Sequence, residues 1–157
     1  MRIKNSTFLA ITALAAGSFL MVACSKDNYT TKPQLKFKSI SGYNLKQGDL
    51  LKFELEVTDS EGDIQNEIAI LRTIKHNPTL SDTSRYPISS DIPSSKDLKA
   101  AINICFVLNR VGEQCPIFTG PKTAIRSDTT TFKFWIKDKA GNVSDTISVD
   151  KEVIIEN

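Results

Sequence analysis

The strictest constraint on this chain is a hydrophobic period of two. Leu51, Phe53, Leu55 and Val57 alternate with Lys52, Glu54, Glu56 and Thr58. Successive side chains of a strand point to opposite faces, so this stretch is a strand with one apolar and one polar face. The same alternation runs through Leu35 and Phe37, and through Ile68, Ile70, Arg72 and Ile74. It returns in Ile102, Ile104 and Phe106, in Phe132, Phe134 and Ile136, and in Ile147, Val149, Val153 and Ile155. A weaker piece at 85–89, interrupted by Pro87, reads as an edge strand. Turn chemistry separates these runs at Ser41-Gly42, Gln47-Gly48-Asp49, Glu61-Gly62-Asp63, Asn77-Pro78 and Ala140-Gly141-Asn142. About seven short strands, each charged on one face, predict an all-β chain folded as an antiparallel β-sandwich.

The first two dozen residues stand apart. Arg2 and Lys4 precede an apolar stretch from Phe8 to Ala23. That stretch is shorter than the roughly 20 residues a membrane span needs, and it reads as an export signal helix. It ends in Met21-Val22-Ala23-Cys24, which resembles the lipobox of bacterial lipoproteins, with Met21 where that family usually has Leu. The resemblance implies cleavage before Cys24 and acylation of Cys24. The chain then divides into a lipoprotein signal peptide (1–23), a flexible lipid-anchored linker (24–33) and a folded domain (34–157). The implied location is the outer membrane, with the domain on the cell surface or facing the periplasm. Ser25-Lys26-Asp27-Asn28 is similar to the surface-export tether of some Gram-negative lipoproteins, and reads equally as a solvated linker.

Charge narrows the partners. The full chain carries +2; loss of residues 1–23 removes two bases and no acid, which leaves the mature chain neutral. A neutral domain has no electrostatic footprint for nucleic acid. Attachment to a membrane then falls to the acyl chains on Cys24.

Three cysteines are an odd number for an exported chain. With Cys24 taken by lipid, as the lipobox resemblance implies, Cys105 and Cys115 remain as a pair, with Gly112 available for the turn between them. A disulfide is expected in an oxidising envelope; the alternative is a buried free thiol at Cys105. His76 is the only histidine and there is no Cys-x-x-Cys, which argues against a zinc site.

Two further runs carry a fold-level resemblance. Val57-Thr58-Asp59-Ser60-Glu61-Gly62-Asp63 resembles the end of strand B and the B–C turn of bacterial immunoglobulin-like modules. Phe134-Trp135-Ile136-Lys137-Asp138-Lys139-Ala140-Gly141-Asn142 resembles their F–G hairpin. The implied fold is an immunoglobulin-like antiparallel β-sandwich. The chain departs from antibody-type domains: no cysteine pair joins strands B and F, and Trp135 falls on the charged face of a late strand.

If the strands follow the order of that fold, the B–C, D–E and F–G loops share one end. Asp59, Glu61, Asp63, Asp91 and Asp138 then converge there with Asn142. Calcium takes six to eight oxygen ligands of this kind, and Asp59, Glu61, Asp63 and Asp138 are its candidate ligands. The competing reading is local: Asp, Asn and Gly populate turns for their own hydrogen bonds. No other cofactor is suggested.

Two connections, 77–97 and 109–129, are long for loops. Ile117 and Phe118 in the second would form a contact patch if exposed, or a satellite cluster if tucked beneath the loop. Trp135 between Lys133 and Lys137 could offer an aromatic platform to sugars or peptides, or be ordinary sheet surface. Catalysis would have to use His76, which has no nucleophile signature near it. The chain is therefore expected to be a non-enzymatic interaction module binding protein or glycan, or else an accessory subunit of a larger envelope assembly. A small hydrolase is the weakest reading.

Overall fold

The computed structural model describes residues 29–110, 114–120 and 127–156. The signal segment, Cys24, Lys26, Asp27 and Gly112 lie outside the described residues. The described chain is all β, apart from one turn of 3-10 helix at Pro78–Leu80. The strands are β1 (Gln34–Ile40), β2 (Asn44–Leu45), β3 (Leu50–Asp59), β4 (Glu67–Ile74) and β5 (Asp82–Pro87). They continue with β6 (Leu98–Leu108), β7 (Ile117–Phe118), β8 (Asp128–Lys137), β9 (Ile147–Ser148) and β10 (Val153–Ile155).

Two sheets face one another across a single core. One has the order β1-β3-β6-β7. The other has the order β2-β10-β8-β4-β5, with β9 also paired to β8. Phe53 of the first sheet meets Phe132 and Phe134 of the second, at ring-centroid distances of 4.9 and 5.1 Å. The apolar phase of each long strand points into this layer, as the alternation requires. The pairing is antiparallel except at two places: β2 runs parallel to β10 and β7 parallel to β6. The expected purely antiparallel sandwich is corrected on that point. The strand pieces also exceed seven, because β2 and β7 are two-residue strands too short to alternate. The last strand is split into β9 and β10, both laid along β8.

One core-facing position in mid-strand carries a positive charge. Arg72 sits in phase with Ile68, Ile70 and Ile74 and is only 6% exposed. Burying a guanidinium is costly unless its donors are met, and here they are. Nε donates to Asp82 Oδ1 at 2.8 Å, Nη1 to the Thr119 carbonyl at 2.7 Å and Nη2 to the Leu80 carbonyl at 2.7 Å. Its plane also lies 5.1 Å from the Phe118 ring centroid. Arg72 thus ties the start of β5 to the segment that carries β7.

Candidate functional site

Two places combine chemistry with shape. The first is an acidic cluster at one end of the molecule. Asp59 closes β3, Asp63 follows in the β3–β4 connection, and Asp138 follows β8. One oxygen from each carboxylate lies within 4.8 Å of the others. The turns explain the convergence. Asp59 Oδ2 accepts the Gly62 amide at 2.6 Å and the Asp63 amide at 3.2 Å. Gly62 has φ +70°, and a Cβ there would stand 2.1 Å from the Ser95 carbonyl oxygen, so this turn admits only glycine. Asp138 Oδ1 accepts the Asn142 amide at 2.7 Å, and Oδ2 accepts the Asn142 side-chain amide at 2.9 Å. The two turns are joined by Lys139 N–H to the Asp63 carbonyl and by Ala140 N–H to Asp63 Oδ2, at 3.0 and 3.1 Å.

Within this cluster Asp59 is exceptional. It is 0% exposed, and its Oδ1 is buried with no hydrogen-bond partner. Burial raises its carboxyl above the usual range; the Gly62 and Asp63 amides oppose the rise, and the charges of Asp63 and Glu61 add to it. Glu61 is exposed and engages the Ser60 hydroxyl, outside the three-carboxylate group. Asp91 is likewise exposed, bonded to Ser89, and not part of the group.

The second place is an apolar cleft of about 370 Å3 between the two sheets, which no sequence pattern announced. One wall is Ile68 and Ile70 of β4 with Tyr86 of β5 and Ile88 and Ile92 beyond it. The other wall is β6, where all six residues from Ala101 to Phe106 line the space. In a strand only alternate side chains reach one face, so six consecutive lining residues mean that the strand is approached along its edge. β6 pairs with β3 over its whole length, but on its other side β7 covers only Val107 and Leu108. Val107 N–H donates to the Pro116 carbonyl and Asn109 N–H to the Phe118 carbonyl. By the same phase, the main-chain groups of Ala101, Asn103 and Cys105 point to the edge that β7 leaves uncovered. Ile102 and Ile104 face inward yet stay half-buried, because the cleft opens there.

The other sequence candidates fall as follows. Cys105 and Cys115 are joined, with an S–S distance of 2.02 Å, at the rim of the cleft. Phe118 is 5% exposed and packs edge-on to Phe106 and Phe132, whereas Ile117 is 48% exposed. A contact patch made of both is therefore corrected: Phe118 belongs to the core, and only Ile117 is at the surface. Trp135 is half-buried on the outer face of the larger sheet, with the Arg85 guanidinium 6.0 Å from its ring centroid. His76 Nδ1 lies 2.9 Å from Asp128 Oδ1, an oxygen that also accepts the His76 and Thr129 amides. Among the described residues no hydroxyl or thiol is bonded to the His76 ring.

No family model matches this chain, and no curated protein matches it. It is similar in structure to Spo0M, a sporulation control protein from Bacillus subtilis, at 9% identity and a TM-score of 0.40, covering 82% of this chain and 51% of that one. It is also similar to a Niemann-Pick type C2 protein from Japanese carpenter ant, at 11% identity and a TM-score of 0.39, covering 82% of this chain and 98% of that one. The chain thus spans about half the length of Spo0M.

Proposed function

We propose that this protein is a lipid-anchored, non-enzymatic interaction module of the bacterial envelope that accepts an extended segment of a partner protein. The single observation that carries the reading is the β6 edge opening into the apolar cleft. A partner strand laid on β6 would meet the main-chain groups of Ala101, Asn103 and Cys105, and its alternate side chains would enter the space beside Ile102 and Ile104. Strand addition of this kind takes affinity from main-chain hydrogen bonds and specificity from alternate pockets. Membrane attachment is supported by the lipobox resemblance of Met21-Val22-Ala23-Cys24, and with it an outer-membrane location on the surface or periplasmic side. The immunoglobulin-like reading is supported by the strand order. With the two-residue strands set aside, the first, second and fifth strands (β1, β3, β6) share one sheet and the third, sixth and seventh (β4, β8, β10) share the other, as in that fold, whereas the fourth (β5) joins the second sheet instead of the first. Glycan binding would use Trp135, and Arg85 already stands over that ring.

The test is binding of the purified domain to strand-length peptides that alternate Val with Thr, beside the same composition scrambled. The alternating peptide should bind the wild type, and Asn103→Pro should abolish binding. That substitution removes one edge-facing N–H while sparing the pairing with β3, a position where an edge strand tolerates proline. No preference for the alternating peptide, or equal binding by Asn103→Pro, would refute the proposal.

A further inference from the structure

We infer that Asp59, Asp63 and Asp138 form a calcium site at the end of the molecule where β3 stops and β8 turns back. None of the three lines the cleft. Three carboxylate oxygens lie within 4.8 Å of one another. Two ligands of one calcium ion, each about 2.3–2.6 Å from it, are at most about 5 Å apart, so the three oxygens stand at ligand spacing. Acidic residues gather at turns without any ion, and proximity alone would decide nothing.

The deciding feature is Asp59. A carboxylate that served only its turn would be satisfied by that turn. Asp59 Oδ2 is satisfied, by the Gly62 and Asp63 amides. Oδ1 is buried and has no donor, on a side chain with no exposure at all. A buried polar atom without a partner costs about 1–3 kcal/mol, more for a charged group, and native folds rarely leave one. A divalent cation between Asp59, Asp63 and Asp138 would supply the missing partner and offset their mutual repulsion. The hydrogen bonds already present hold the ligands in place: Asn142 fixes both oxygens of Asp138, and the Ala140 amide holds one oxygen of Asp63. Hard oxygen donors without nitrogen or sulfur select calcium over transition metals. The ion would cross-link the β3–β4 turn to the hairpin after β8.

The experiment is calorimetric titration of chelator-treated protein with calcium chloride, together with melting in chelator and in about 10 mM calcium, above the range of weak extracellular calcium modules. The wild type should bind one ion and melt roughly 5 °C higher or more. Asp63→Asn, at the least buried of the three ligands, should weaken binding at least tenfold and remove most of that shift. Magnesium chloride at the same concentration should bind more weakly, because its smaller shell demands stricter geometry. Absence of both heat and a melting shift in the wild type would overturn the inference, as would calcium binding unchanged in Asp63→Asn. Neither result bears on the peptide test, since Asn103 takes no part in this cluster.

Discussion

The seam between the β5 and β6 edges is closed over one half and open over the other. In the closed half, Arg72 reaches across to Asp82, Leu80 and Thr119 with the Phe118 ring beneath its guanidinium, and only a smaller cavity of about 110 Å3 remains beside them. β7 there completes two positions of the β6 ladder. In the open half the same two strands stand apart, and the gap is walled by isoleucines, Tyr86 and the β6 edge that no described strand covers. The difference is one of side chains more than of backbone path. Closing a seam between two edges needs either a strand or a polar bridge whose every donor is met. Among the described residues both stand near one end of β6 and neither at the other. An uncovered strand edge is a liability that folds ordinarily blunt with charge, proline or a covering loop. Here the inward positions at the open edge are apolar, which suits a partner strand better than water.

The largest effect is expected from breaking the closed half. Arg72→Ala removes an ion pair, two carbonyl contacts and the cover over Phe118. Loss of one partner of a buried pair costs about 3–5 kcal/mol, and the partial exposure of Asp82 puts the expected loss near 3 kcal/mol. Urea unfolding measures it. A loss under about 1 kcal/mol would show that β7 and Phe118 hold the seam without the arginine.

A smaller effect sharpens the same contrast between satisfied and unsatisfied polar groups. Asp128 is buried, and burial alone would raise its carboxyl. The amides of His76 and Thr129 and the His76 ring outweigh burial and hold it below the usual carboxylate range. Asp59, with one oxygen unmet, is held above that range. Their linkage to stability therefore has opposite signs. The folded state binds the Asp128 proton more weakly than the unfolded state does. Its stabilisation is full above about pH 4 and is lost as pH falls through the lowered folded value. The folded state binds the Asp59 proton more tightly. Its contribution is full below about pH 4 and is lost as pH rises through the raised folded value. In chelator, urea unfolding across acidic pH should show Asp128→Asn less stable than wild type by on the order of 2 kcal/mol near neutrality, with the gap closing in acid. Asp59→Asn should instead flatten the loss of stability as pH rises from about 4. The same pH profile in both variants would contradict the contrast.

Most of the fold was legible in the sequence, because a strand buried on one face writes its period into the chain. β3 and β6 repeat an apolar residue at nearly every second position, β8 does so from Phe132 to Ile136, β1 at Leu35 and Phe37, and β4 breaks the run only at Arg72. β2 and β7 were not legible, since two residues display no period, and their parallel pairing arises from the tertiary path. Phe118 could not be assigned to core or surface for the same reason. The acidic end was legible in outline: Asp59, Asp63 and Asp138 flank turns that an immunoglobulin-like order brings together. Glu61 lies between two of them in sequence but is exposed, its carboxylate engaged by the Ser60 hydroxyl. The cleft was invisible. Which strand edge stays uncovered depends on where β7 stops, and the pattern of Ile102, Ile104 and Phe106 is the same for a covered strand as for a bare one.

The central claim is that β6 carries an open edge between Ala101 and Cys105, and amide hydrogen exchange of the free domain tests it most directly. The amides of Ala101, Asn103 and Cys105 should exchange orders of magnitude faster than those of Val107 and Asn109, which β7 and its flanks engage, and faster than those of Ile102 and Ile104, which β3 engages. Uniform slow exchange along β6, with Ala101, Asn103 and Cys105 protected as well as their neighbours, would mean that the edge is already covered and would contradict the account.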